Sequence, residues 1–162
     1  MAVLFQWLES SAVGVLVRES LYGFPAVVGL HILGLALSVG TLLWFDLRLV
    51  GVVLPGVPVT RVYRQLIPWA AVGFLLMGAT GLMLFTGYAA AAAGNVFFRI
   101  KLAAMVLAGV NAFYYHRVTE PSAATWEHLA RPPAGARLAG AVSLLLWTIV
   151  ILCGRIMAYT MY

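Results

Sequence analysis

The sequence predicts an all-α integral membrane protein: a four-helix, up-down-up-down bundle with an N-terminal helix lying in the membrane interface. Three observations predict it. Hydrophobic residues make up 64% of the 162-residue chain and charged residues only 9%, with a mean hydropathy of +1.00. Soluble domains carry about 25% charged residues, so too little polar surface is available here to face water, and lipid is the implied solvent. The chain also holds long uncharged runs, and about 20 helical residues at ~1.5 Å each cross the ~30 Å hydrocarbon layer of a bilayer. The polar residues fall in short connections between those runs, which leaves one transmembrane domain, 1–162.

Residues 1–20, MAVLFQWLESSAVGVLVRES, are apolar but interrupted by Gln6, Glu9, Ser10, Ser11, Arg18 and Glu19. The uninterrupted part is too short to span. One or two short interfacial helices are expected, with Trp7 at headgroup depth and Ser10 or Ser11 capping the second. The segment has neither the basic start nor the cleavage motif of a removable signal.

The first span is expected over 22–48. Leu21 to Phe45 carries no formal charge, and Asp46 and Arg48 close it. Pro25 falls in the first turn, where a missing N–H does little harm. Steps of three and four from His31 reach Gly34, Ser38 and Thr41. This small and polar face should meet other helices, because in lipid such residues mark helix contacts.

In the connection 49–65, Pro55, Gly56 and Pro58 break any helix. The second span, 66–89, places Trp69 and Tyr88 at the two interfaces and offers Gly73, Gly78, Thr80 and Gly81 for close packing. The run AAAAAG before Asn95 is expected to be a frayed end and a turn. The third span, 96–117, has only 14 uncharged residues between Lys101 and His116, roughly 21 Å of helix. Arg99 and Lys101, or His116, must therefore snorkel or face the interior. Lys101, Ala104, Ala108 and Asn111 share one face and suggest an inward polar stripe. Residues 118–137 are the polar stretch, punctuated by Pro121, Pro132 and Pro133, with SAATWEHLA expected as a short amphipathic helix carrying Trp126 at the surface. The fourth span, 138–161, carries Ser143, Thr148, Cys153 and Arg155.

The side on which the first span begins is called side A. Side B then holds six basic residues, Arg48, Arg61, Arg64, Arg117, Arg131 and Arg137, and side A holds four, Arg18, Arg99, Lys101 and Arg155. Cytoplasmic loops carry the excess, so side B is expected inside and both termini outside. The net charge of +5 is scattered over span ends, which suits lipid headgroups and not nucleic acid. The lone cysteine, Cys153, excludes an internal disulfide and any multi-cysteine metal site.

Two constellations could carry chemistry. His31 lies roughly 12 Å into the first span from side A, on the side where Lys101 enters the third span and Arg155 ends the fourth, beneath Arg18, Glu19 and Tyr22. Ionisable groups inside a membrane are costly and point to function by default. A b-type haem fits, with His31 as the metal ligand and Lys101 and Arg155 near the propionates. A quinone fits as well, with the imidazole as proton partner. A structural reading stays open: His31 bonding across a helix interface, the two cations snorkelling to phosphate. His116 is roughly 20 Å deeper and cannot share an iron with His31. Thr80 or Gly81, Met105, and Leu152 or Cys153 match the depth of His31, and Met105 is the candidate second axial ligand. His128 is expected to be solvated.

The second constellation, on side B, is Asp46, Arg48 and His116. An Asp46–His116 interface pair is expected there, with a second haem or a proton-uptake site as the functional reading. No glycine-rich phosphate loop, His-x-x-x-His, Cys-x-x-Cys or serine-elbow pattern occurs, which argues against soluble-enzyme chemistry.

The run RESLYGFPAVVGLHILGLALSVGTLLWFDLRLVG, followed by LIPWAAVGF, ATGLMLF, NVFFRIKLA and NAFYYHR, resembles a family of short bacterial inner-membrane proteins defined as a domain of unknown function. The resemblance covers nearly the whole chain. It implies four spans and a bacterial inner-membrane location, and it brings no activity with it. More distantly, a histidine near the start of a glycine-rich span is similar to membrane cytochrome b anchors and copper-resistance membrane domains. The expectation is a small electron-transfer or quinone-interacting subunit centred on His31, working as a homo-oligomer or with a membrane or redox partner. The alternative is a non-redox accessory subunit or a small oligomeric transporter.

Overall fold

The computed structural model describes residues 2–160, and it is helical with no strand among them. Two short helices, α1 (Ala2–Glu9) and α2 (Ala12–Glu19), precede the first span. Ser11 caps α2 as its position suggests, its hydroxyl accepting from the Gly14 N–H at 3.1 Å. Val17 of α2 is fully buried against Gly87, where a Cβ would come within 2.8 Å of its Cγ1.

Four helices are long and apolar enough to cross a membrane. The first, α3 (Gly23–Val50), is 28 residues long, about 42 Å. It stops at Gly51, whose φ of 88° suits glycine. The Gly51 N–H donates to the Leu47 and Arg48 carbonyls, and the Val52 N–H also reaches Leu47, which satisfies two of the last-turn acceptors.

The second, α4 (Val59–Gly87), begins seven residues before the expected 66. Pro58 sits at its N-cap with φ −54°, and the residues behind it have a packing reason to be helical: Val59 and Val62 are buried with Phe45 and Leu49. The helix continues through Pro68. The alanine run is not a frayed turn. It forms a short helix, α5 (Ala89–Gly94), with Ala89 and Ala92 buried and the Ala90 N–H donating to the Glu9 carboxylate at 2.9 Å.

The third, α6 (Val96–Tyr114), is capped by Asn95, whose side-chain oxygen accepts from the Phe97 and Phe98 N–H groups. It runs past the expected end through a π-helical turn (Tyr115–Thr119) and a 3-10 turn (Glu120–Ser122) into α7 (Ala123–Trp126). The amphipathic helix expected from SAATWEHLA shrinks to these four residues. Trp126 is buried, not surface-lying, because its indole N–H donates to Ser122 Oγ at 3.1 Å and its ring joins the Phe45, Val62 and Tyr115 core. The fourth, α8 (Ala134–Thr160), starts four residues earlier than expected, and its expected last residue, 161, lies outside the described residues.

The spans alternate in direction. α3 packs on α4 and α8, and α6 packs on α8. The small face read from His31 is the α3–α4 seam: Gly34 and Ser38 are buried, and a Cβ at Gly34 would lie 2.8 Å from the Met77 nitrogen. α4 and α6 do not pack closely. They meet through Phe85 stacked on Phe98 at 5.6 Å near one end, and near the other α4 meets the π-helical turn after α6, with Tyr63 edge-on to His116 at 5.6 Å. The four spans thus form an arc in the order α4, α3, α8, α6.

Side B is tied together by Arg48, which is fully buried. Its Nε donates to the Val57 carbonyl at 2.9 Å, and Nη2 donates to the carbonyls of Glu127 and Leu129 at 3.1 and 3.3 Å. One guanidinium thus binds the loop after α3 to the loop before α8. Thr60 donates to the Glu127 carboxylate beside it.

Candidate functional site

His31 occupies α3 because a glycine-rich face turns it toward α4. Its Nδ1 lies 3.0 Å from Thr80 Oγ1, and its ring rests on Gly81, where a Cβ would come within 3.1 Å of Cε1. Thr80 is buried, and its hydroxyl lies 2.7 Å from the Leu76 carbonyl. A hydroxyl has one proton, and a carbonyl can only accept. The Thr80 proton therefore goes to Leu76, and the oxygen accepts from His31 Nδ1–H. That arrangement leaves Nε2 with its lone pair.

Lys101, across on α6, is half-buried and close enough to His31 for their charges to interact. Its chain lies over Gly154, with Nζ 3.7 Å from where a Cβ would stand, and buried Cys153 is also within electrostatic reach. The inward stripe of α6 is present: Ala104 and Ala108 are buried, and the Asn111 amide donates to the Ala139 carbonyl at 2.9 Å.

Arg155 and Met105, the other candidates of the first constellation, are engaged with other residues. Arg155 is exposed, its Nη2 donating to the Tyr159 hydroxyl at 2.6 Å and its guanidinium lying 4.9 Å from that ring's centre. It stands two residues, about 200° around the helix, from buried Cys153. Met105 packs with Ala104, Ala108, Leu146 and Val150 and borders a separate cavity. Among the described residues, no three His, Cys, Asp or Glu side chains gather as a metal site.

That cavity, about 400 Å³, lies inside the arc toward side B. Its floor is Asp46 of α3 and Ser143 of α8, and its walls are apolar residues of α4 and α6 with the Phe74 and Trp147 rings 5.1 Å apart. Tyr63, Tyr115 and His116 form the side B rim. Asp46 is only 4% exposed. Ser143 is its side-chain hydrogen-bonding neighbour, and Oδ2 has no partner.

The expected Asp46–His116 pair does not form. His116 Nδ1 instead lies 2.8 Å from the Glu120 carboxylate and 3.3 Å from the Tyr63 hydroxyl, because the π-helical turn swings it to the rim. Ala71 of α4 and Gly109 and Ala112 of α6 line the cavity and are also exposed, so it opens sideways between those two helices. His128 is solvated, beside Glu127.

Sequence reasoning did not single out Tyr63, Tyr115 or Trp147. The signal for them was weak, since aromatics near span ends are ordinary interface anchors. Ser143 and Asp46 stood in the sequence as polar residues on two spans, but nothing in spacing showed that they meet.

The model of a protein family described as a family of unknown function (DUF6644) matches residues 4–160. No curated protein and no solved structure matches the chain.

Proposed function

The chain belongs to the DUF6644 family, and we propose that it is a small subunit of a membrane electron-transfer assembly that takes b-type haem on His31. One observation carries this reading: the imidazole is fixed between helices by Thr80 in the tautomer that leaves Nε2 free to bind iron. Lys101 supplies a cation on the facing helix for a propionate. When bound, haem supplies a one-electron redox centre. The protein's own part is to orient the imidazole, offset the propionate charge and keep the site within the bundle. Arg155 would have to leave Tyr159 to join Lys101, and Met105 would have to turn from the cavity to serve as a second ligand of the iron.

A quinone at the same imidazole is the second reading, favoured by the same free lone pair, which accepts a hydrogen bond from a quinol hydroxyl. An absorption spectrum of the purified protein separates the two. Haem gives a Soret band that disappears in His31→Ala. A colourless protein that keeps its stability after that change rules haem out and favours quinone, an accessory role or transport.

The inferred setting is a bacterial inner membrane, with side B cytoplasmic and both termini periplasmic. The six side B arginines support this orientation. A one-electron centre needs a donor and an acceptor, so a redox subunit or a second copy of the chain is the implied partner.

A further inference from the structure

We infer that the cavity between α4 and α6 is a binding site for the head of a lipid-soluble quinol, entered from the bilayer. It lies on the other half of the bundle from His31 and does not rest on the haem reading. Four features support it. The volume of about 400 Å³ accommodates a substituted ring and the start of its tail, within the usual range for small-molecule pockets. The mouth, between Ala71 on one side and Gly109 and Ala112 on the other, faces sideways, so an apolar tail stays in the lipid while the ring enters.

The third feature is Asp46. A carboxylate oxygen that is buried and without a donor is costly to keep; Asp46 lines the cavity, and its Oδ2 is such an atom, covered by its neighbours just beneath the lining. A rotation of the carboxyl group would present that oxygen to a quinol hydroxyl, the donor it lacks. At the rim, Tyr63 and His116 offer a second polar pair that continues to Glu120 at the side B surface, while Phe74 and Trp147, packed on each other, form one apolar wall for the ring.

The fourth feature selects the occupant. No lysine or arginine lines the cavity, so the phosphate of a phospholipid would meet Asp46 with no permanently charged cation beside it. A neutral, hydroxyl-bearing ring meets no such repulsion.

The test is a titration of decylubiquinol, kept reduced, into the full chain in nanodiscs, followed by tryptophan fluorescence, since Trp147 borders the site. Saturable binding is expected, about fivefold tighter than decylubiquinone, which lacks the hydroxyl donors. Asp46→Leu should weaken quinol binding at least tenfold without lowering the melting temperature, because it removes the orphaned oxygen along with the acceptor. Gly109→Phe, at a glycine whose Cβ would meet open space, should fill the mouth and abolish binding in a folded protein. Unchanged affinity in both variants overturns the proposal, as does decylbenzene binding as tightly as the quinol. The readout is separate from the Soret band, so either reading can fail alone.

Discussion

His31 and Thr80 are joined across the α3–α4 seam by a 3.0 Å hydrogen bond whose direction is set from the Thr80 side, because the threonine proton is already given to Leu76. The imidazole is therefore expected as the Nδ1–H tautomer. Nitrogen-15 spectra of histidine-labelled protein should show His31 Nε2 unprotonated, and an Nε2–H signal would refute the assignment. Thr80→Val removes the acceptor and should destabilise the fold by about 1–2 kcal/mol while releasing the tautomer preference.

Gly73 of α4 faces Ser38 and Gly34 of α3 so closely that a Cβ would overlap the Ser38 nitrogen and stand 2.8 Å from the Gly34 carbonyl oxygen. Backbone cannot yield as a flexible side chain can. Gly73→Ala should thus cost about 2 kcal/mol or more, in the range of overpacked cores. Gly40→Ala and Gly78→Ala, where a Cβ meets open space, should be neutral or slightly stabilising. Unfolding of the detergent-solubilised variants measures the contrast, and equal effects at Gly73 and Gly78 would show that the seam is not tight.

Arg48→Ala should destabilise by about 2–4 kcal/mol, since it leaves three loop carbonyls without their charged donor. Arg48→Lys should recover only part of this, because one ammonium does not reproduce the guanidinium fork. Protease cleavage within residues 51–58 and 127–133 should rise together in both variants. Cleavage confined to one loop would show that Arg48 does not join the two.

Cys153 is the only cysteine of the chain and is buried, so it gives a quiet background for mapping orientation. In intact bacterial cells a membrane-impermeant thiol reagent should label Ser10→Cys on side A and leave Arg131→Cys on side B unlabelled. The reverse pattern would invert the assigned orientation.

The spans were legible in the sequence because their signal is composition over tens of residues, which packing does not override. Their ends were less so. Val59 and Val62 entered α4 for the sake of a core that joins Phe45 to Trp126, a contact distant in sequence. Ala89 and Ala92 became helical on meeting α1. That His31 turns toward a neighbouring helix followed from one helix face, and its depth match with Thr80 or Gly81 came from counting rise per residue; that the neighbour is α4 came only from the structure. Asp46 beneath an open cleft could not be read, because it depends on which helices fail to touch. Periodicity reports faces that want a neighbour, and it does not report the gap between two neighbours that both turn elsewhere.

The four spans are fastened unequally. Glycines lock α3 to α4 backbone to backbone, whereas α4 and α6 face each other through a few rings at the ends. Compression or thinning of the surrounding bilayer will be taken up where packing is sparse. The molecule should behave like a hinged cover with a stiff spine, and membrane tension should alter the width of its slot before it disturbs the fold.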